Sequence, residues 1–184
     1  AGPRFHPLPG DVTASQASLA ALLAPHQPFD YLVNNAGVGI LEPADQITEE
    51  NYDKVMNVNF KAPLLLSGLL AKEWIARGHK GTIVNISSQA GLRPLVGHAV
   101  YCGSKAALDH AMRVQAVEWG KYGIRVNAVN PTVVWTDMGK LNWSDENKSK
   151  VLLDRMPLRR FAEEKEVSDS VLFLLSDASA MTQG

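Results

Sequence analysis

Tyr101 and Lys105 stand four residues apart in Tyr101-Cys102-Gly103-Ser104-Lys105, a spacing that puts two side chains on one face of a helix. An ammonium beside a phenol favours the phenolate and lowers its pKa, so the phenol becomes a proton donor or acceptor usable near neutral pH. Ser88 lies thirteen residues before Tyr101, directly after the apolar run Gly81-Thr82-Ile83-Val84-Asn85-Ile86-Ser87, which reads as a buried strand. A hydroxyl at a strand end reaches the start of the next helix. A phenol, an alcohol and an amine meeting in one cleft would move a proton to or from an oxygen. Taken alone, the tyrosine-lysine spacing favours a half-buried tyrosine with a solvated lysine.

The elements that must carry these residues alternate. Strands are expected near 4–8, 30–34, 81–87 and 124–130, with helical stretches near 14–25, 48–77, 100–120, 144–155 and 163–177. Alternation of this kind predicts an α/β sandwich on a parallel sheet. Thr48 with Glu49 and Glu50 marks a helix start. Pro63 falls four residues after Asn59, so it offers no N–H to the Asn59 carbonyl and predicts a kink there. The turn Asn35-Ala36-Gly37 leaves the strand at 30–34 where an α/β sheet holds its ligands.

Other stretches accompany the tyrosine and lysine. They are Asn34-Asn35-Ala36-Gly37, Asn57-Val58-Asn59-Phe60 and Asn130-Pro131-Thr132-Val133-Val134, followed by Thr136-Asp137-Met138-Gly139 and Pro157-Leu158 with Phe161-Ala162-Glu163. In this order the chain resembles the short-chain dehydrogenase/reductase family along nearly its whole length, and its carbonyl reductase and L-xylulose (dicarbonyl) reductase branch in particular. The resemblance implies a Rossmann-like three-layer α/β/α sandwich and an oxidoreductase that moves hydride between a nicotinamide cofactor, NADP(H) ahead of NAD(H), and a small carbonyl or alcohol.

By that resemblance Tyr101 is the proton donor, Ser88 holds the substrate oxygen and Lys105 lowers the tyrosine pKa and binds the cofactor ribose. Asn59 would anchor a relay water, although a simple proline kink with Asn59 as an ordinary polar residue explains the same sequence. The cofactor would be held by Asp11 and Val12 at the adenine, by Asn35, Ala36 and Gly37, by Tyr101 and Lys105, and by Pro131, Val133, Val134, Thr136 and Met138. Asp11 and Thr13 equally suit a cap on the helix at 14–25, and Asn34 is expected to brace a neighbouring strand. The substrate would meet Ser88, Tyr101, His98, Trp135 and Trp143, with Leu141 beside them. His98 could instead cover its loop, and the tryptophans could form the core of the helix at 144–155. The resemblance further implies a homo-oligomer, a tetramer in the family. Small residues on the 100–120 helix, among them Ala106, Ala107, Ala111 and Ala116, fit either that pairing or packing on the chain's own sheet.

Composition sets the outer bounds. The 184 residues, 46% hydrophobic and 20% charged, suit a single partial domain over 1–184. A formal net charge of -1 gives no electrostatic reason to expect nucleic acid or an anionic membrane as partner. A single cysteine, Cys102, excludes an internal disulfide and suits a reducing, cytoplasmic setting. The five histidines show no metal-ligand spacing. Ser88 lacks the G-x-S-x-G context of a hydrolase nucleophile.

The family's glycine-rich turn TGxxxGxG is absent from this sequence. The resemblance therefore implies a domain lacking its first two strand-helix units and its last strand. The strand near 4–8 must then cross over to pair with the strand at 30–34, or leave an apolar edge bare. An alternative expectation is an inactive fragment of such an enzyme, at most associating with full-length subunits.

Overall fold

The computed structural model describes residues 5–184. Three parallel strands, β1 (Tyr31–Asn34), β2 (Thr82–Ile86) and β3 (Arg125–Val129), lie in the order β1-β2-β3. Leu32 pairs with Ile83, and Ile83 with Val126. The central strand is buried on both faces. Ile83 joins the core with Leu70, Ala71 and Trp74 on one side of the sheet, and its neighbour Val84, which points the other way, is also fully buried. This is why β2 reads as a continuous apolar run rather than an alternating one.

Helix α1 (Gln16–Leu23) is capped by Ser15, whose hydroxyl accepts from the Ser18 N–H. The expected capping by Asp11 and Thr13 is corrected here. The Asp11 carboxylate instead takes both the backbone N–H and the hydroxyl of Thr13, at 2.8 Å each, closing a turn before the helix. Residues 5–8 are coil, so the strand expected near 4–8 does not form over the described part of that stretch, and residue 4 lies outside the described residues. Among the described residues no strand pairs with the outer edge of β1. Tyr31 and Val33 remain 55% and 39% exposed.

The expected kink at Pro63 takes a specific form. Helix α2 (Glu49–Met56) runs into a π-helical turn, Asn57–Lys61, before α3 (Ala62–Arg77). The Ala62 N–H bonds the Asn57 carbonyl five residues back, so the proline sits just inside the regular helix, where its missing N–H costs little. Helix α3 ends at Gly78 in the left-handed conformation. Trp74 lies so close to Gly81 that a Cβ there would come within 2.5 Å of the indole.

Helix α4 (Ala99–Trp119) packs on β3 and contributes Met112 and Ala116 to the core. Ala116 therefore packs on the chain's own sheet. After β3 come two short helices, α5 (Asp137–Trp143) and α6 (Glu146–Leu153), and then α7 (Glu164–Leu175), which packs across β2 and β3. A mutual capping box between Glu163 and Glu166 starts α7. The last residues return to β3, where the Gln183 side chain accepts from the Val126 N–H at 2.8 Å and Gly184 N–H donates to the Val126 carbonyl at 3.1 Å.

Candidate active site

The carboxyl end of β2 delivers Ser88. Beyond Ile86 the chain stays tied to the continuation of β3: Ser87 N–H donates to the Val129 carbonyl at 2.8 Å, and Gln89 N–H to the Pro131 carbonyl at 2.9 Å. The chain then closes a short helical turn, Gln89–Gly91, and the Ser88 hydroxyl accepts from the Ala90 N–H at 3.1 Å. Tyr101 and Lys105 arise from the first turns of α4, whose backbone start is held by Cys102 N–H donating to the His98 carbonyl at 2.7 Å.

These three side chains line one cleft of about 590 Å³, together with the Asn35-Ala36-Gly37 turn after β1. Pro131, Val133, Val134, Thr136 and Met138 form its other wall, and His98 and Trp143 also face it. A Cβ built on Gly37 would lie 3.7 Å from both the Lys105 ammonium and the Asn59 amide oxygen. These are ordinary van der Waals distances, so the turn after β1 lies directly beside the amine and the buried amide. The His98 ring meets Tyr101 edge-on, with centroids 6.2 Å apart, and its Nδ1 lies 2.7 Å from the Val96 carbonyl.

The electrostatics differ from the expectation that lysine alone would lower the tyrosine pKa. Burial is the largest influence on Tyr101 and raises its pKa above the ordinary phenol value, while a hydrogen bond with Ser88 opposes the rise. Lys105 sits with its ammonium 5.8 Å from the phenol ring centroid and donates to the Ile86 carbonyl at 2.8 Å. Burial pulls its own pKa down to about 8, with Asp109 acting in the other direction. In water an ammonium is a full charge in reach of the phenol. Here part of its field is spent on a backbone carbonyl, and desolvation acts on both groups.

Asn59 is almost wholly buried beneath the cleft rather than on its wall. Its amide donates to the Val38 carbonyl at 2.9 Å and to the Ser104 hydroxyl at 3.1 Å, and its oxygen accepts from the Val38 N–H at 2.9 Å. It ties the loop after β1 to α4. Asn34 braces the sheet as expected, donating to Asn85 at 2.8 Å and to Ser67 at 3.1 Å. The Thr136 hydroxyl caps α5 by accepting from Gly139 N–H at 3.2 Å.

Some expected residues stand elsewhere. Asp11 and Val12 line a second groove, of about 310 Å³, beside α1 and β1. Trp135 is not on the cleft wall; it stacks on Phe161 at 5.5 Å between centroids. Leu141 is 84% exposed and also away from the wall. Gly39, Leu41, Gln89, Leu95 and Asn142 do face the cleft and were missed. Gln89 alone carried a signal, as the residue directly after Ser88. The others come from loops and a short helix whose path has no period in the sequence. Among the described residues no group of three or more His, Cys, Asp or Glu is placed to hold a metal ion, and no helix is long and apolar enough to cross a membrane.

Parallel strands with a serine, a tyrosine and a lysine gathered in one cleft at their carboxyl ends are the arrangement of a dinucleotide-binding α/β domain. The comparisons narrow the class. Residues 3–184 match the family described as Enoyl-(Acyl carrier protein) reductase. The chain belongs to the short-chain dehydrogenase/reductase family. It is 53% identical over 178 residues to L-xylulose reductase of Caenorhabditis elegans, covering 97% of this chain and 71% of that protein. To D-erythrulose reductase of Gallus gallus it is 51% identical over 182 residues, covering 99% and 74%. A 4-hydroxyisoleucine dehydrogenase complexed with NADH superposes with a TM-score of 0.90 at 30% identity, covering 94% of this chain and 72% of that one. A gluconate 5-dehydrogenase from Burkholderia cenocepacia J2315, in complex with NADP and tartrate, superposes at 0.88 and 28% identity, covering 95% and 69%.

Proposed function

We propose that this protein reduces the carbonyl of a small ketose or dicarbonyl, with NADPH preferred to NADH. The observation that carries the reading is the single cleft shared by Ser88, Tyr101, Lys105 and the small-residue turn at Asn35-Ala36-Gly37. The relatives named for L-xylulose and D-erythrulose support the substrate class. The branch resemblance supports NADPH.

The cleft fits the nicotinamide end of such a cofactor. Gly37 lies beside Lys105 and Asn59, and the segment from Pro131 to Met138 supplies further wall. Asp11 and Val12 remain the candidates for the adenine end. When bound, the cofactor supplies the hydride. Tyr101 gives its proton to the substrate oxygen, and its raised pKa keeps that proton in place at neutral pH. Ser88 donates a hydrogen bond to the same oxygen and holds it in line. Lys105 stabilises the phenolate left behind and holds the cofactor ribose. Asn59 anchors the loop and α4 so that a relay water can sit between its backbone and Lys105. His98 and Trp143 meet the rest of the substrate. We further propose a cytoplasmic homo-oligomer, a tetramer by family resemblance.

Calorimetric titration of the chain with NADPH and with NADH, followed by assay with L-xylulose and D-erythrulose, tests the reading. Micromolar NADPH affinity with ketose-dependent oxidation of NADPH is the expected result. No binding of either cofactor, or turnover unaffected by replacing Tyr101, would overturn it.

A further inference from the structure

Asp109 is the next residue in the helical series Tyr101, Lys105, Asp109 on one face of α4. It is 3% exposed. Its Oδ2 accepts from the Asn130 amide at 2.7 Å, and its Oδ1 is buried with no hydrogen-bond partner among the described residues. No ion pair involves it among those residues. An interior carboxylate held so incompletely is costly unless a charge nearby compensates it. The cation it acts on is Lys105, whose proton affinity it supports against burial.

The same carboxylate is linked to Ser88 by an independent route. The Asn130 amide that bonds Asp109 also donates to the Ser88 carbonyl at 3.2 Å. The turn following Ser88 lies flush on α4, because a Cβ on Gly91 would come within 2.7 Å of Asp109 Oδ2 and 3.0 Å of the Lys105 carbonyl carbon. One buried acid therefore touches the supports of two members of the triad.

We propose that Asp109 is a positioning residue for the reduction. Through Asn130 it fixes the turn that carries Ser88, and it stands one helical turn after Lys105 on the same side of α4. It contacts neither substrate nor cofactor. The proposal rests on the Ser88-Tyr101-Lys105 reading of the cleft, but two of its tests need no turnover.

The carbon-13 shift of the Lys105 ε-methylene, followed against pH in the isotopically labelled chain, reads the charge on that lysine directly. In Asp109→Asn, which keeps the shape and an acceptor for Asn130, the Lys105 titration is expected to fall by about one pH unit. In Asn130→Ser it is expected to stay in place, while amide exchange at Ala90 and Gly91 accelerates roughly tenfold as the turn loses its anchor. Where the parent chain turns over a ketose, both variants lower kcat about tenfold, with the cofactor KM moving much less. A merely structural aspartate would lower the melting temperature and leave the Lys105 titration where it was, and that result overturns the charge role. Unchanged exchange at Ala90 and Gly91 in Asn130→Ser overturns the link to Ser88. A wild-type chain that titrates as described but reduces no ketose would sink the proposed function and leave Asp109 placed as argued.

Discussion

The catalytic cleft and the groove beside β1 are built from opposite materials. The cleft at the carboxyl ends of the strands is lined by Lys105 and backed by Asp109, Asn59 and Ser104, groups that dislike burial and are each no more than 4% exposed. The groove beside β1 is lined mainly by Leu8, Leu19, Leu22, Phe29, Leu66 and Leu70, with Asp11 and Tyr31 as its polar members. Burying polar groups spends stability on orientation, whereas burying apolar surface supplies stability and little direction. Chemistry should therefore fail first on one side and folding on the other.

The sharpest separation comes from Tyr101→Phe. It removes one hydroxyl from the cleft and should cut ketose reduction about a thousandfold, while unfolding free energy moves by about 1 kcal/mol or less. Turnover and urea denaturation of the same preparation check both halves. On the apolar side, Trp74→Ala should cost about 4 kcal/mol of stability, since the indole is fully buried and its N–H bonds the Phe29 carbonyl at 2.8 Å. Urea midpoints measure it. A variant that keeps its midpoint would show that the core beneath the groove is less important than its packing implies.

The pH dependence of stability tests the cost of the cleft. The folded pKa of Lys105, about 8, lies below the ordinary lysine value of 10.5, so between those values the unfolded chain binds more protons. Stability then rises with pH across that window, and the gain is lost as pH falls through 8. The full difference is about 3 kcal/mol. A Lys105→Met variant should lack this slope, so the difference between the two curves, from denaturation at pH 7 to 10, isolates it. Tyr101, raised by burial, acts in the opposite sense above pH 10. The smallest effect is expected at the bare edge. Val33→Lys should change stability by about 0.5 kcal/mol or less and reduce self-association, which light scattering at increasing concentration would detect.

Much of this architecture was legible beforehand, for physical reasons that differ by element. The strands expected at 81–87 and 124–130 appear as Thr82–Ile86 and Arg125–Val129, because a strand covered on both faces needs an unbroken apolar run. Helix α4 was legible through its side-chain spacing, and so were Ser88, Tyr101 and Lys105. The stretch near 4–8 misled. Its short apolar-proline sequence resembles a strand, but pairing depends on a neighbour, and residues 5–8 have none. Trp135 misled in another way: an aromatic residue between a strand and a helix can face either side, and the stack on Phe161 settles the direction.

The sequence alone determined which chemical groups share a helical face, where the buried strands run and which family of reactions those groups suit. It did so because periodicity and residue type act over a few neighbours at a time. Tertiary structure alone decided that Asn130 ties Ser88 to Asp109, and that burial, opposed by the Ser88 hydroxyl, raises the phenol's pKa. It also decided that the proline region relaxes through a π turn. These depend on distances between residues far apart in the chain and on how much water the assembled walls exclude, quantities that no local pattern contains.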